Sequence, residues 1–225
     1  MRKTILIIVL IFSFSISRAF EESFYREFSI LAVPSISVSF LFDNQVKKSI
    51  KKNKNQFFNG FTSFFNQFGA PSTVSIPVLG YIFSKINKDK KLEELSRQAF
   101  FASIFAGGTS FCIKKITGRK RPDKTDKDSF PSGHTAVSTA IFLTYGKYFN
   151  DYKKYFFYSI PVFVGFSRIY KNRHYFSDVV SGCFLGFLSV YLSKKFDSFF
   201  VKNIKSFVYY DLSSKKYTLN LKYLF

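Results

Sequence analysis

Residues 126–146 read Asp-Lys-Asp-Ser-Phe-Pro-Ser-Gly-His-Thr-Ala-Val-Ser-Thr-Ala-Ile-Phe-Leu-Thr-Tyr-Gly. A polar loop enters at Asp126–Phe130, a proline marks the start of a helix at Pro131, and an apolar pattern follows. Proline near the first turn costs no hydrogen bond, because the N–H it lacks has no partner inside a helix. Val137, Ala140, Ile141 and Tyr145 recur at helical spacing and predict one apolar face. Further apolar segments at about 71–84, 98–113, 155–167 and 179–193 share this character and are separated by charged stretches. Val179, Cys183, Phe184 and Phe187 again fall on one face, and Gly182 and Gly186 are small positions where helices approach closely. The repetition predicts an all-α bundle.

The 225 residues are 47% hydrophobic and 21% aromatic, with 33 Phe, 14 Tyr and no Trp. Such a chain folds or enters a membrane; intrinsic disorder is excluded. One domain is the default at this length. The formal charge of +20 calls for an anionic partner: a phosphate-bearing substrate, an acidic lipid surface or nucleic acid. No nucleic-acid reading motif is present, so that partner is set aside.

Residues 1–19 have the form of an export signal or an N-terminal anchor: Arg2 and Lys3, an apolar run from Thr4 to Phe14, and small residues ending at Ala19. Residues 20–200 then form the main domain and 201–225 an extension. In that tail Tyr217, Leu219, Leu221, Tyr223 and Phe225 alternate with other side chains, which predicts a small C-terminal β-hairpin. The basic run Lys47–Lys54 is a solvated face or a contact with anionic headgroups. Cys112 and Cys183 lie in apolar stretches, as one disulfide or as two buried thiols. The uncharged runs fall short of the about 20 residues that cross a bilayer, and mean hydropathy is only +0.03. This arithmetic leans toward a soluble or peripheral domain and leaves integral helices open.

Three short strings carry chemistry. His174 and Asp178 are four apart; on a helix they share a face, and the carboxylate fixes the imidazole tautomer so that the other nitrogen is a nucleophile. Arg168, six residues earlier, presents a planar fork to phosphate oxygens. Pro131-Ser132-Gly133-His134 opens a helix whose first N–H groups bind an anion. Gly133 allows close approach there, Ser132 offers a hydroxyl, and His134 is placed to protonate a leaving group. Lys114 and Arg121-Pro122 add two cations beside that loop, where Lys115, Arg119 and Lys120 also crowd. Each string alone has an ordinary explanation: a histidine stacked among Tyr170, Tyr175 and Phe176, a capped turn, a Lys-rich surface loop. Together they hold both histidines of the chain.

The strings Lys-(six)-Arg-Pro, Pro-Ser-Gly-His and Ser-Arg-(five)-His-(three)-Asp resemble, in order, the signature of the type 2 phosphatidic acid phosphatase and vanadium haloperoxidase superfamily. The likeness covers about residues 95–195, with the signature at 114–178. It implies a helical bundle with the site at its mouth. Lys114, Arg121, Ser132, Gly133 and Arg168 would bind phosphate; His174 would be the nucleophile, Asp178 its orienter and His134 the general acid. It implies no metal and no cofactor, with vanadate as a phosphate mimic. The expected activity is hydrolysis of a phosphomonoester or pyrophosphate through a phosphohistidine. The expected substrate is a lipid phosphate at an anionic membrane surface of the cell envelope. A broad-specificity secreted acid phosphatase shares the same site. A haloperoxidase ranks lower, because only eight residues separate Pro122 from Pro131. A non-catalytic envelope protein that binds anionic lipid is the alternative outside enzymes.

Overall fold

The computed structural model describes residues 22–204, 208–211 and 216–219. The expected signal at 1–19 lies outside them. Among the described residues seven helices carry the fold: α1 (Glu22–Lys52), α2 (Gln56–Gln67), α3 (Ser75–Ile86), α4 (Lys90–Thr117), α5 (Gly133–Gly146), α6 (Lys153–Tyr170) and α7 (Phe176–Ile204), with a 3₁₀ turn at Pro71–Val74. The all-α expectation holds. Of the tail, the described residues include β1 (Val208–Asp211) and β2 (Lys216–Leu219), antiparallel with Val208 opposite Leu219.

Helix α5 is the axis of the bundle, wrapped by α4, α6 and α7. The periodicity predicted one apolar face. Instead Thr135, Ala136 and every residue from Ser138 to Gly146 are buried. The reason is side-chain size: Ala, Ser and Thr fill the positions between the large apolar residues, so neighbours close in from all sides. The glycines of α7 make the same point. A Cβ on Gly186 would stand 2.4 Å from the Ala136 carbonyl, and one on Gly182 2.5 Å from that of Ser132. The core is two apolar groups around α5, one with Ala102, Ala106, Leu143, Tyr158 and Val190, the other with Ala99, Ile141, Phe142 and Val164.

The outer surface is also apolar. Ile30, Val33 and Leu41 of α1, Leu79 and Ile86 of α3, Phe111 and Ile116 of α4, and Phe199 of α7 are all more than half exposed. Lys90–Thr117 and Phe176–Phe199 are long and apolar enough to cross a bilayer. Uncharged runs underestimated these helices because each continues through charged residues at its ends. Both cysteines are free; Cys112 is exposed, against the expectation of burial, and Cys183 is partly buried.

Helix ends set the site. Asp89 caps α4 by accepting from the Leu92 N–H. At the other end Gly118 takes a left-handed φ of +54° and donates to the Lys114 carbonyl, which suits a residue without Cβ. That turn sends the chain from Lys114 directly into Arg119 and Arg121. Thus the C-termini of α4 and α6 and the N-termini of α5 and α7 meet at one end of the bundle.

Candidate active site

Ser132 is the N-cap of α5. Its buried hydroxyl lies 2.8 Å from the Thr135 hydroxyl and accepts from the Thr135 N–H at 3.4 Å. The hydroxyl therefore caps the helix. Its own N–H donates to the Asp178 carbonyl at 2.9 Å, tying the turn to α7. Gly133 packs so closely on α4 that a Cβ would meet Ser110 Oγ at 3.1 Å, and Gly69 packs against the backbone of His134. The first N–H groups of α5 are therefore fixed and point out of the helix end.

His174 is buried, at 2% exposure. It sits in the turn after α6, where the Arg173 and His174 N–H groups both donate to the Arg168 carbonyl. Because α7 starts only at Phe176, the helical i, i+4 geometry assumed for His174 and Asp178 does not apply. Nδ1 lies 2.7 Å from the Ser129 carbonyl, so it is the ring N–H that donates there. Asp178 Oδ2 is 3.7 Å from Nδ1. Its hydrogen bonds go elsewhere: Oδ2 accepts from Ser129 Oγ at 2.5 Å and from the Tyr175 N–H at 2.7 Å, while Oδ1 accepts from Arg119 at 2.6 Å. A carboxylate at the third position of a helix commonly bonds back to the N-cap N–H in this way. Asp178 therefore acts on His174 through its charge, and the Ser129 carbonyl fixes the tautomer.

Three cations surround the imidazoles. Arg168 is 7% exposed; its Nη1 donates to Asn66 of α2, and its Nε has no partner among the described residues. A buried guanidinium N–H with no acceptor fits a site that takes an anion. Lys114 donates to the Asp128 carbonyl. Arg121 grips the Asp128 carboxylate with both arms, at 2.6 and 3.0 Å, and this holds the Asp128 carboxyl below the usual carboxylate range. Burial, reinforced by the Arg168, His174, Lys114 and Arg121 charges, pushes the His134 imidazole down to about 3. Burial lowers that of His174 too, with Arg168 and Lys114 adding to the effect and Asp178 opposing it. The two imidazoles and three cations thus share one electrostatic environment. The lowered proton affinities favour the neutral imidazole at both histidines, and with Nδ1–H on the Ser129 carbonyl the neutral His174 ring carries its lone pair on Nε2.

Sequence reasoning missed several members. Arg119 was grouped with surface cations, yet it bonds Asp178, Ser177 and Asp43. Asn66, Asp128, Ser129 and Asp43 also went unread. Among the described residues no cluster of His, Cys, Asp and Glu is arranged to hold a metal.

The model of the PAP2 superfamily matches residues 96–201, and every residue of the three strings falls inside that stretch. A lipid A 1-phosphatase of Porphyromonas gingivalis is 41% identical over 86 residues, 36% of this chain and 19% of that protein. One from Rhizobium johnstonii is 29% identical over 102 residues, 39% of this chain and 41% of that protein. The chain therefore spans less than half the length of these curated relatives. Two solved structures are similar in fold at 21% identity. Aquifex aeolicus LpxE has a TM-score of 0.58, covering 68% of this chain and 95% of that one. A transmembrane PAP2-type phosphatidylglycerolphosphate phosphatase of Bacillus subtilis has a TM-score of 0.52, covering 87% and 94%.

Proposed function

We propose that this chain, whose residues 96–201 match the model of the PAP2 superfamily, is a metal-independent phosphatase that hydrolyses a lipid phosphate through a phosphohistidine. The observation that carries the reading is His174: buried, its Nδ1–H held by the Ser129 carbonyl, with Arg168 and Lys114 beside it. Arg168, Lys114, Arg121 and the Gly133 amide hold the phosphoryl oxygens, and Ser132 keeps that amide in place. Nε2 attacks phosphorus as the bond to the leaving oxygen breaks. His134 passes a proton to that oxygen. A substrate phosphate brings opposing negative charge to His134, which raises its proton affinity; as a monoanion it also delivers the proton itself. In the second half, His134 takes a proton from water. The resulting hydroxide attacks phosphorus, the P–N bond breaks, and inorganic phosphate leaves with His174 restored. Preorganised cations and amides supply most of the rate, since charge spreads over three phosphoryl oxygens.

The apolar outer surface, the two helices long enough to cross a bilayer and the lipid A 1-phosphatase relatives support a lipid substrate at a membrane of the cell envelope. Residues 20–200 would form the catalytic domain after an exported leader. The test is phosphate release by the purified chain in detergent, from a short-chain lipid phosphate and from p-nitrophenyl phosphate, with and without EDTA. The proposal expects preference for the lipid and no change in EDTA. Loss of activity in EDTA contradicts the metal-free mechanism, and a preference for p-nitrophenyl phosphate contradicts the lipid substrate.

A further inference from the structure

Asp43 sits in α1, outside the stretch matched by the superfamily, yet it ends at the heart of the site. It is 6% exposed. Its Oδ1 accepts from the Ser177 N–H at 2.8 Å; its Oδ2 accepts from Ser177 Oγ at 2.8 Å and from Arg119 Nη2 at 2.7 Å. The other arm of Arg119 donates to Ser177 Oγ at 2.8 Å and to Asp178 Oδ1 at 2.6 Å. The guanidinium carbon lies 4.3 Å from the Tyr175 ring centroid and 4.8 Å from that of Phe40. One guanidinium thus bridges two buried carboxylates and is held in place between two aromatic rings.

We propose that Asp43 and Arg119 are positioning residues for His174: Arg119 fixes Asp178 and offsets its charge, and Asp43 holds Arg119 in the bridging geometry. This rests on the phosphatase reading only for its effect on turnover. The chain of charges runs Asp43, Arg119, Asp178, His174. An imidazole 3.7 Å from an uncompensated carboxylate would be drawn to the protonated form and lose its lone pair. With Arg119 on Oδ1 the pull is weaker. With Asp43 on Arg119 the guanidinium does not overcompensate. The other charged and titratable groups around His174 are Lys114 from α4, His134 from α5, Arg168 from α6, and the Arg121–Asp128 pair from the loop; none of them hydrogen-bonds Asp43 among the described contacts.

A purely structural role is the rival, since Asp43 also caps the N-terminus of α7. The two differ in sign. Asp43→Asn removes a negative charge and lowers the proton affinity of His174. Arg119→Gln removes a positive charge and raises it, by on the order of one pH unit for a charge one carboxylate removed from the ring. With two histidines in the chain, NMR of isotope-labelled imidazole on the full chain in detergent reads both titrations, and His134→Gln assigns them. The expected order of His174 midpoints is Asp43→Asn below wild type below Arg119→Gln. Turnover should fall about tenfold or more in each variant, with KM little changed. Arg119→Lys should restore the midpoint but only part of kcat, because it keeps the charge and loses the fork. Equal midpoints in wild type and Arg119→Gln, with melting by circular dichroism showing both folded, would overturn the proposal. An Arg119→Gln chain that does not fold passes the decision to Arg119→Lys and Asp43→Asn. If those two and wild type then share one midpoint and one kcat, the proposal fails as well. The titration does not depend on activity, so failure of the phosphatase reading alone leaves it decisive.

Discussion

Asp128 stands where a substrate phosphate is expected to compete, and Asp128→Ala measures that competition. Arg121 Nε and Nη2 hold its carboxylate at 2.6 and 3.0 Å. If Arg121 binds a phosphoryl oxygen, the carboxylate has to yield first. The pair is unequal in exposure, 11% for the Arg121 side chain and 46% for that of Asp128, so solvent screens it. A bidentate pair of this kind contributes about 1 kcal/mol. Freeing Arg121 should therefore tighten inorganic phosphate and vanadate about fivefold. The assay is inhibition of p-nitrophenyl phosphate hydrolysis at fixed ionic strength, with kcat recorded alongside. Arg121 keeps the carboxyl below its usual range, so the competition should persist through pH 5–8. The same depression stabilises the fold above the unfolded carboxylate value of about 3.9 and is lost as pH falls through the lower folded value. An inhibition constant that is unchanged or weaker in Asp128→Ala would mean that phosphate does not reach Arg121.

Three further outcomes follow from the geometry. Gly182→Ala puts a Cβ 2.5 Å from the Ser132 carbonyl; overpacking against backbone should cost about 1–3 kcal/mol and lower Tm by several degrees, whereas Gly108→Ala, with nothing within 4 Å, should leave Tm unchanged or raise it. His134→Ala should lower kcat/KM, which reports leaving-group departure and not the later attack of water, about 10²–10⁴-fold for an alkyl phosphate and much less for p-nitrophenyl phosphate, because nitrophenolate departs without a proton; equal losses of kcat/KM on both would remove His134 from the role of acid. Burial lowers the His174 imidazole, and its neutral form is the reactive one, so the acid limb of kcat/KM should fall below about 6.5, the ordinary imidazole value; a limb at or above it contradicts a neutral nucleophile in this site.

The three strings were legible because they are made of side chains at fixed spacing. Lys114, Arg121, His134, Arg168, His174 and Asp178 lie far apart in the chain and still converge, since helix ends from α4 to α7 meet on one side. The missing members leave weaker traces. The Ser129 carbonyl is backbone and has no residue signature. Arg119 looks like one lysine-rich turn among others until Asp43, 76 residues away, is found on it. Asn66 belongs to a short aromatic helix whose sequence gives no sign of the Arg168 contact. Asp178 was read as a helical neighbour of His174, but capping claims its oxygens. The burial of α5 on all sides followed from Ala, Ser and Thr between its large residues, a signal that a search for one apolar stripe overlooks.

In the proposed mechanism His174 becomes covalently phosphorylated. Mixing the purified chain with a ³²P-labelled lipid phosphate and quenching in alkali, where phosphohistidine survives and acyl phosphate does not, tests it directly. A labelled protein band is expected that is stable to base, labile to acid and absent from folded His174→Ala, which also releases no phosphate. Full turnover by folded His174→Ala, or label that persists without His174, contradicts it.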